Sequence, residues 1–318
     1  MFYSVIIPVY NRPDEIDELL SSLTEQTYKN FEVLIVEDGS DILCKDVADK
    51  YMARLDLRYY TKRNEGPALA RNYGAARSRG DYLIILDSDC LLPPAYMETV
   101  NQALESEPSD AYGAPDRAHP SFSLIQKAIN YSMTSFFTTG GIRGGSRRME
   151  RFHPRSFNMG VRRTVFMALE GFADMRQYGE DIDFSIRIHQ SGYSCRLLPE
   201  AWVYHKRRST LRQFFRQVRR SGEGRIALAR KYPGSLKLVH LLPASFTVGI
   251  AACLLLSIAC TPYFLLPILV FALLVFTEAT LRNHSVRVGV LAIAASYVQL
   301  TGYGIGFLRA YFHKLSDK

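Results

Sequence analysis

The apolar residues of this chain are unevenly placed, and that inequality restricts its folds more than any other feature. Residues 238–308 are dominated by Leu, Ile, Val, Ala and Phe, whereas residues 1–235 carry evenly spread charge and read as a water-soluble protein. A bilayer core of about 30 Å calls for about 20 apolar residues in one helix. Val239–Cys260 meets that length, Thr261-Pro262 breaks it, and Tyr263–Phe276 continues apolar towards Leu281. Val288–Phe307 is a third stretch, softened by Gly302, Gly304 and Gly306. Two or three membrane helices are expected. A buried globular helix is the competing reading for any single one of them.

Charge is uneven too. The net charge is +8, but residues 206–237 hold eleven Lys or Arg against Glu223 alone, so that segment carries +10 and the rest of the chain −2. The chain is therefore not generally basic. A basic collar directly before an apolar region suits anionic lipid headgroups better than nucleic acid, and no nucleic-acid partner is expected. Arg282 and Arg287 lie between the second and third spans, on the collar's side of an up-down hairpin, in keeping with a cytoplasmic excess of positive charge. Arg309, Lys314 and Lys318 would face the other side if all three segments cross, so one segment lying in the interface is the alternative.

Five cysteines, Cys44, Cys90, Cys195, Cys253 and Cys260, are an odd number without zinc-site spacing. They do not read as a disulfide framework and fit a reducing cytoplasm. The first residues, Met1-Phe2-Tyr3-Ser4-Val5-Ile6-Ile7-Pro8, lack a basic n-region and do not read as a signal peptide. The expected location is the inner, cytoplasmic membrane with the N-terminal part in the cytosol.

Along the soluble part, strands and helices alternate. Strands are expected at Ser4–Tyr10, Phe31–Val36, Leu57–Thr61 and Tyr82–Leu86. A helix opens at Pro13, with Ile16, Leu19, Leu20 and Leu23 on one face at i, i+3, i+4 and i+7. Further helices are expected at Leu43–Leu55, Ala68–Ser78, Pro93–Glu105, Ser121–Phe137, Arg163–Leu169 and Asp181–Gln190, a strand at Asp110–Ala114, and a strand pair or one long strand over Tyr193–Tyr204; Phe157–Arg163 precedes the helix at Arg163 without an assigned form. Gly140–Arg155, rich in Gly and Arg, reads as a mobile loop, a linker or a lid. The strands are apolar without period-two alternation, which implies a mainly parallel sheet covered on both faces.

Asp87-Ser88-Asp89 follows the strand Leu83-Ile84-Ile85-Leu86. Ligands of open α/β sheets gather beyond the carboxyl ends of the strands, and two carboxylates one residue apart can hold Mg²⁺ or Mn²⁺. Taken alone, D-x-D is most often a solvated turn. Asp38 closes the second strand before Gly39; it is either a turn residue or an acceptor for a base N–H or ribose hydroxyl. Arg71 falls on the first turns of a helix, where it is either a surface partner of Glu65 or a phosphate ligand. Asp181 opens a helix, as an N-cap or as a base; the helix N-terminus favours its negative charge, and a carboxylate there can accept a hydroxyl proton. His205 ends a strand and reads as a surface histidine, or as a third metal ligand if that strand end returns to Asp89.

In this order, Val5-Ile6-Ile7-Pro8-Val9-Tyr10-Asn11, Val36-Glu37-Asp38-Gly39-Ser40, Ala70-Arg71-Asn72, Asp87-Ser88-Asp89 and Gly179-Glu180-Asp181 resemble the inverting glycosyltransferases of family 2, with the GT-A fold. The resemblance covers about residues 1–210. It implies that Pro8, Tyr10 and Asp38 line a nucleoside pocket, that Arg71 lies near the donor diphosphate, and that Asp89 holds the metal while Asp87 contacts ribose or metal, with Ser88 between them. It makes Asp181 the general base and His205 a candidate metal ligand. Glu37 departs from the family pattern, where a second Asp is common. Gln217-Val218-Arg219-Arg220-Ser221 is similar to the Q-x-x-R-W signature of processive synthases but lacks its Trp, which favours transfer of a single sugar.

The expected architecture is a GT-A, Rossmann-like α/β catalytic domain over residues 1–210, a basic collar over 206–237 and an all-α membrane region over 238–310. The expected reaction is metal-dependent, inverting transfer from a UDP-sugar, or a GDP-sugar, to a hydroxyl of a lipid-linked glycan or glycolipid. A nucleotidyltransferase sharing the crevice and a non-catalytic membrane adaptor are the alternatives.

Overall fold

The structure is a computed structural model and describes residues 1–140, 152–175 and 179–313. Most of the Gly/Arg-rich stretch at 140–155, namely residues 141–151, lies outside the described residues, as do Lys314 and Lys318. The chain forms two compact units. The first comprises residues 1–119, 147–176 and 180–206; the second comprises 120–146, 177–179 and 207–318.

The first unit is built on a seven-stranded sheet. In chain order it begins β1 (Tyr3–Val9), α1 (Pro13–Thr24), β2 (Phe31–Asp38), α2 (Lys45–Asp49), β3 (Leu57–Lys62), α3 (Pro67–Ala76) and β4 (Tyr82–Leu86). It continues with β5 (Cys90–Leu91), α4 (Tyr96–Ser106), β6 (Ala111–Gly113) and β7 (Asp116–Arg117). After α5 and α6 of the second unit come β8 (Asn158–Arg162), α7 (Arg163–Ala168), α8 (Glu180–Gln190), β9 (Cys195–Leu197) and β10 (Val203–His205). The sheet order is β3-β2-β1-β4-β8-β6-β9. All neighbours are parallel except β8, which runs antiparallel to both β4 and β6.

β1, β2 and β4 are buried along their whole length, so both faces need apolar side chains. In β1, Val5, Ile7 and Val9 enter one core with Ile16, Leu19, Leu20 and Leu23 of α1, while Ile6 enters the other with Phe166, Phe172 and Phe184. Each fully buried Leu or Ile contributes about 1.5–3 kcal/mol. The chain winds from β1 to β3 in one direction and then returns to place β4 on the other side of β1. That reversal is a topological switch point, where the loops after β1 and β4 diverge and leave a crevice.

Two expected elements change form. The helix expected at Leu43–Leu55 is only five residues long, because residues 50–54 continue in tight turns that bring Tyr51 and Leu55 into the core. The Tyr193–Tyr204 segment is two strands rather than one long one, but they do not pair with each other: β9 edges the large sheet, and β10 joins β5 and β7 in a three-stranded sheet.

The second unit contains α5 (Leu124–Thr134), α6 (Phe136–Thr139), α9 (Leu211–Lys231), α10 (Leu242–Ala259), α11 (Leu266–Asn283) and α12 (Val286–His313). The expected single helix at Ser121–Phe137 breaks at Ser135, whose hydroxyl accepts from the Phe137 amide and donates to Glu278 at 2.7 Å. Three stretches, Leu242–Ala259, Pro262–Asn283 and Val286–His313, are long and apolar enough to cross a membrane. α12 is their spine: 44% of its apolar window is buried, against 6% and 11% for the other two. It packs against α5, α9, α10 and α11. Its glycines are contact points. A Cβ on Gly306 would lie 2.0 Å from the Arg219 carbonyl, and one on Gly222 of α9 would lie 2.2 Å from the Tyr303 carbonyl. The glycines thus let α9 and α12 approach backbone to backbone.

The basic collar is largely α9, capped by Thr210, whose hydroxyl accepts from the Gln213 amide. Phe214, Val218, Ile226 and Leu228 are buried while Arg212, Arg216, Arg220 and Arg230 are exposed, the pattern of an amphipathic helix whose apolar face packs against the other helices of its unit.

Candidate functional site at the switch point

Asp87-Ser88-Asp89 leaves the end of β4 at the switch point. Asp89 is buried and its two oxygens face different partners. Arg12 Nη1 lies 2.5 Å from Oδ2, and His205 Nε2 lies 3.1 Å from Oδ1. Arg12 follows β1, so this ion pair bridges the two loops that the topology separates. His205 arrives because β10 pairs antiparallel with β5, setting His205 opposite Cys90, while the Lys206 amide donates to the Asp89 carbonyl at 3.0 Å. The Phe157 ring stacks on His205 with centroids 4.9 Å apart. The strand end therefore does return to Asp89. One ligand atom each from Asp89, Cys90 and His205 lies within 4.8 Å of the others. A carboxylate and an imidazole in contact beyond the end of β4 are a donor set that fits Mn²⁺; for Mg²⁺ the carboxylates of Asp87 and Asp89 are the fitting ligands.

Asp87 is held differently. Arg71 Nη2 donates to its Oδ1 at 2.7 Å, and Arg71 Nη1 donates to Glu180 Oε1 at 3.1 Å. The Arg71 side chain is 4% exposed and its guanidinium lies 5.6 Å above the Phe172 ring. Burial works against its charge, but Asp87 and Glu180 outweigh that and raise its pKa. Arg71 is thus neither a surface residue nor a partner of Glu65, which pairs with Lys62 instead. The neighbouring Asn72 fixes the platform beneath it: its side chain accepts from the Phe172 amide at 2.9 Å and donates to the Phe172 carbonyl at 2.8 Å.

Glu180 and Asp181 occupy the first turn of α8. Asp181 therefore lies just inside the helix, with Oδ1 accepting from the Ile182 amide at 2.8 Å and Oδ2 lying 3.3 Å from Arg155 Nη1. Its side chain is 14% exposed. Behind it, buried Asp183 pairs with Arg187, which also donates to the carbonyls of Leu169 and Gly171, so α8 is braced at its base.

On the other side of β1, Asp38 ties down the loop before α3. It accepts from Lys62 Nζ at 2.9 Å and from the amides of Glu65 and Gly66 at 3.1 and 2.8 Å. Glu37, the departure from the family pattern, is turned into the core. It accepts from the Ser40 hydroxyl, the Cys44 amide, the Cys44 thiol and the Tyr59 hydroxyl, the last at 2.7 Å. Pro8 is buried in β1 beside Val36, and Tyr10, just past the strand, is 49% exposed. Ser88 is buried.

Arg12, Glu180, Phe172 and Arg155 are the participants that sequence reasoning did not single out for these contacts. Arg12 stands next to the quoted Tyr10-Asn11 and Glu180 next to Asp181; that adjacency was the available signal. Nothing in the spacing of Phe172 or Arg155 marks them.

A mainly parallel sheet with a carboxylate pair at its switch point and a carboxylate helix start beside it is the architecture of a GT-A fold. The chain belongs to glycosyl transferase family 2, whose family model matches residues 4–169. Asp181 and His205 lie beyond the matched residues. An uncharacterized glycosyltransferase of Rickettsia felis is 47% identical over 88 residues, 28% of this chain and 15% of that protein, so the chain spans a small part of that relative's length. The glycosyltransferase AglE of Haloferax volcanii is 27% identical over 253 residues, 78% of this chain and 81% of AglE. Among solved structures, the mannosyltransferase PcManGT from Pyrobaculum calidifontis, in complex with GDP-Man and Mn²⁺, superposes with a TM-score of 0.62 at 16% identity, covering 98% of this chain and 87% of that one.

Proposed function

We propose that the chain is a membrane-attached, inverting glycosyltransferase that moves one sugar from a nucleoside-diphosphate sugar to a hydroxyl of a lipid-linked glycan or glycolipid. The observation that carries the reading is the meeting of Asp89 and His205 beyond the end of β4, where the small sheet brings His205 back, beside Asp87 and the start of α8. PcManGT holds GDP-Man and Mn²⁺ on a similar fold; a UDP-sugar is the donor we favour here, with a GDP-sugar the other.

Pro8, Tyr10 and Asp38 line the nucleoside side of the crevice, where exposed Tyr10 offers a ring for the base and Asp38 fixes the loop beside it. Asp89 and His205, with Asp87 at the ribose or the ion, would hold Mg²⁺ or Mn²⁺, which would supply positive charge against the departing diphosphate. Arg71 keeps Asp87 and Glu180 in register. Asp181 takes the proton of the acceptor hydroxyl as that oxygen attacks the anomeric carbon and the bond from that carbon to the diphosphate oxygen breaks. Arg155 and the Ile182 amide fix the carboxylate's orientation while leaving lone pairs for the proton, since a carboxylate has about four acceptor sites. A single displacement of this kind inverts the anomeric centre.

Catalysis is assigned to residues 1–210, headgroup contact to the collar at 206–237, and membrane attachment to 238–310, in the inner membrane with the catalytic domain on the cytoplasmic side. Three apolar helices in the same chain support a lipid-linked acceptor. NMR of the product made from an α-linked donor tests the mechanism: a β-linkage is expected, and an α-linkage would overturn the single displacement. Comparing lipid-linked with soluble acceptors tests the acceptor class, and equal rates on both would remove the lipid requirement.

A further inference from the structure

Two arginines meet the two carboxylates of Asp87-Ser88-Asp89, and they are not equivalent. Arg71 is enclosed, has two carboxylate partners and lies over an aromatic ring. Arg12 is 28% exposed, lies on the loop after β1, and pairs with Asp89 through Nη1. The loop that carries Arg12 is fixed: Asn11 has φ of +54°, its amide donates to Ser40 Oγ at 2.8 Å, and its side-chain oxygen accepts from the amides of Asp41 and Ile42.

The charges follow from this. Asp87, Asp89, Glu180 and Asp116, the last 3.8 Å from His205 Nδ1, bring −4, and Arg12 and Arg71 bring +2, leaving −2 before His205 is counted. A divalent cation arriving alone meets a carboxylate already paired with a guanidinium. If both cations stayed on Asp89 they would repel each other at a few ångströms. A diphosphate entering with the ion reverses that balance. It neutralises the ion and offers oxygens that a guanidinium grips with its fork.

We propose that Arg12 is a stand-in cation for Asp89, so that the divalent ion is taken up together with the nucleoside diphosphate rather than before it, and Arg12 passes from Asp89 to the diphosphate. This rests on the reading of Asp89 as the ion's ligand. Arg12 is then a positioning residue that couples two binding events, and such coupling is reciprocal.

The test is Mn²⁺ binding to the detergent-solubilised full chain, followed by the paramagnetic resonance of free Mn²⁺, alone and with saturating UDP or GDP. In the wild type, the matching nucleotide should tighten Mn²⁺ by about tenfold or more. In Arg12→Gln, Mn²⁺ alone should bind about tenfold tighter than to the wild type, and the nucleotide should add little. Arg12→Lys keeps the charge without the fork and should fall between, which guards against a Gln variant that does not fold. Unchanged or weaker Mn²⁺ binding in both folded variants, with Asp89→Asn abolishing it, overturns the role of Arg12 alone. Wild-type Mn²⁺ binding in Asp89→Asn overturns the Asp89 reading, and the Arg12 proposal with it.

Discussion

Buried Arg71 and half-buried Asp87, whose side chain is 31% exposed, form an ion pair of 2.7 Å that joins α3 to the end of β4. Through Glu180 the same guanidinium reaches the first turn of α8, next to Asp181. One side chain therefore fixes the spacing between the acidic motif and the candidate base.

Removing that side chain leaves two carboxylates facing each other without a cation. Arg71→Met should destabilise the protein by about 1–3 kcal/mol, the cost of leaving the mostly buried Glu180 carboxylate without its donor, while partly exposed Asp87 regains water. Arg71→Lys should recover part of the loss, because one ammonium cannot satisfy both carboxylates with a planar fork. Thermal unfolding of detergent-solubilised protein measures both. A Met variant as stable as the wild type would contradict the structural role.

Glu37 makes a different prediction from the aspartate common in relatives. Its carboxylate satisfies the buried Cys44 amide and Tyr59 hydroxyl. Glu37→Ala should cost about 2–4 kcal/mol of stability through those orphaned donors, with nucleotide affinity retained in whatever fraction stays folded. Loss of nucleotide affinity at unchanged stability would place Glu37 in the nucleoside pocket instead.

Acid sensitivity is expected at Glu32, whose side chain is fully buried. Burial pushes its carboxyl up, but hydrogen bonds from Ser4, Arg79 and Arg58 outweigh this and hold it below the ordinary carboxylate value. A carboxyl whose folded pKa is depressed stabilises the fold above its unfolded pKa and loses that contribution as pH falls through the folded one. Stability should therefore decline as pH falls below the ordinary Glu value of about 4.3 and on through the lower folded one, and Glu32→Gln should flatten that part of the curve while lowering stability at pH 7. Identical acid limbs in the two proteins would show that another group is responsible.

The α9–α12 contact tolerates no side chain at its crossing. Gly306→Val should push the Arg219 carbonyl away, costing several kcal/mol or displacing α9, and protease cleavage within α9 should rise at least several-fold. Gly249→Val is the control, because a Cβ at Gly249 meets nothing within 4 Å. Equal cleavage in the two variants would remove the contact from the account.

The sheet was legible in the sequence because β1, β2 and β4 are apolar on both faces, which leaves few alternatives to a covered parallel sheet. Asp87, Asp89, Asp181 and His205 were legible as candidates because each sits at an element boundary, and boundaries show in the pattern. The partners were not. Arg12 and Asp89 are 77 positions apart, and Arg71 and Glu180 are 109 apart; only the winding of the sheet brings them together. Arg71 reads as an anion ligand because sequence shows its charge but not its burial. Gly302, Gly304 and Gly306 look like weak points of a membrane helix, and become close-packing sites once α9 and α10 lie against them. The break at Ser135 depends on Glu278, a contact across 143 residues that no local rule contains.

The central claim, glycosyl transfer with Asp181 as base at an Asp89 ion site, is tested most directly by incubating membranes that contain the protein and acceptor lipids with a panel of UDP- and GDP-sugars and measuring the nucleotide released. One donor should yield its nucleoside diphosphate, with Asp181→Asn slowing release by about 10²–10⁴-fold while leaving donor binding intact, and Asp89→Ala removing metal-dependent donor binding. Release of inorganic diphosphate instead, or wild-type turnover in Asp181→Asn, would contradict it.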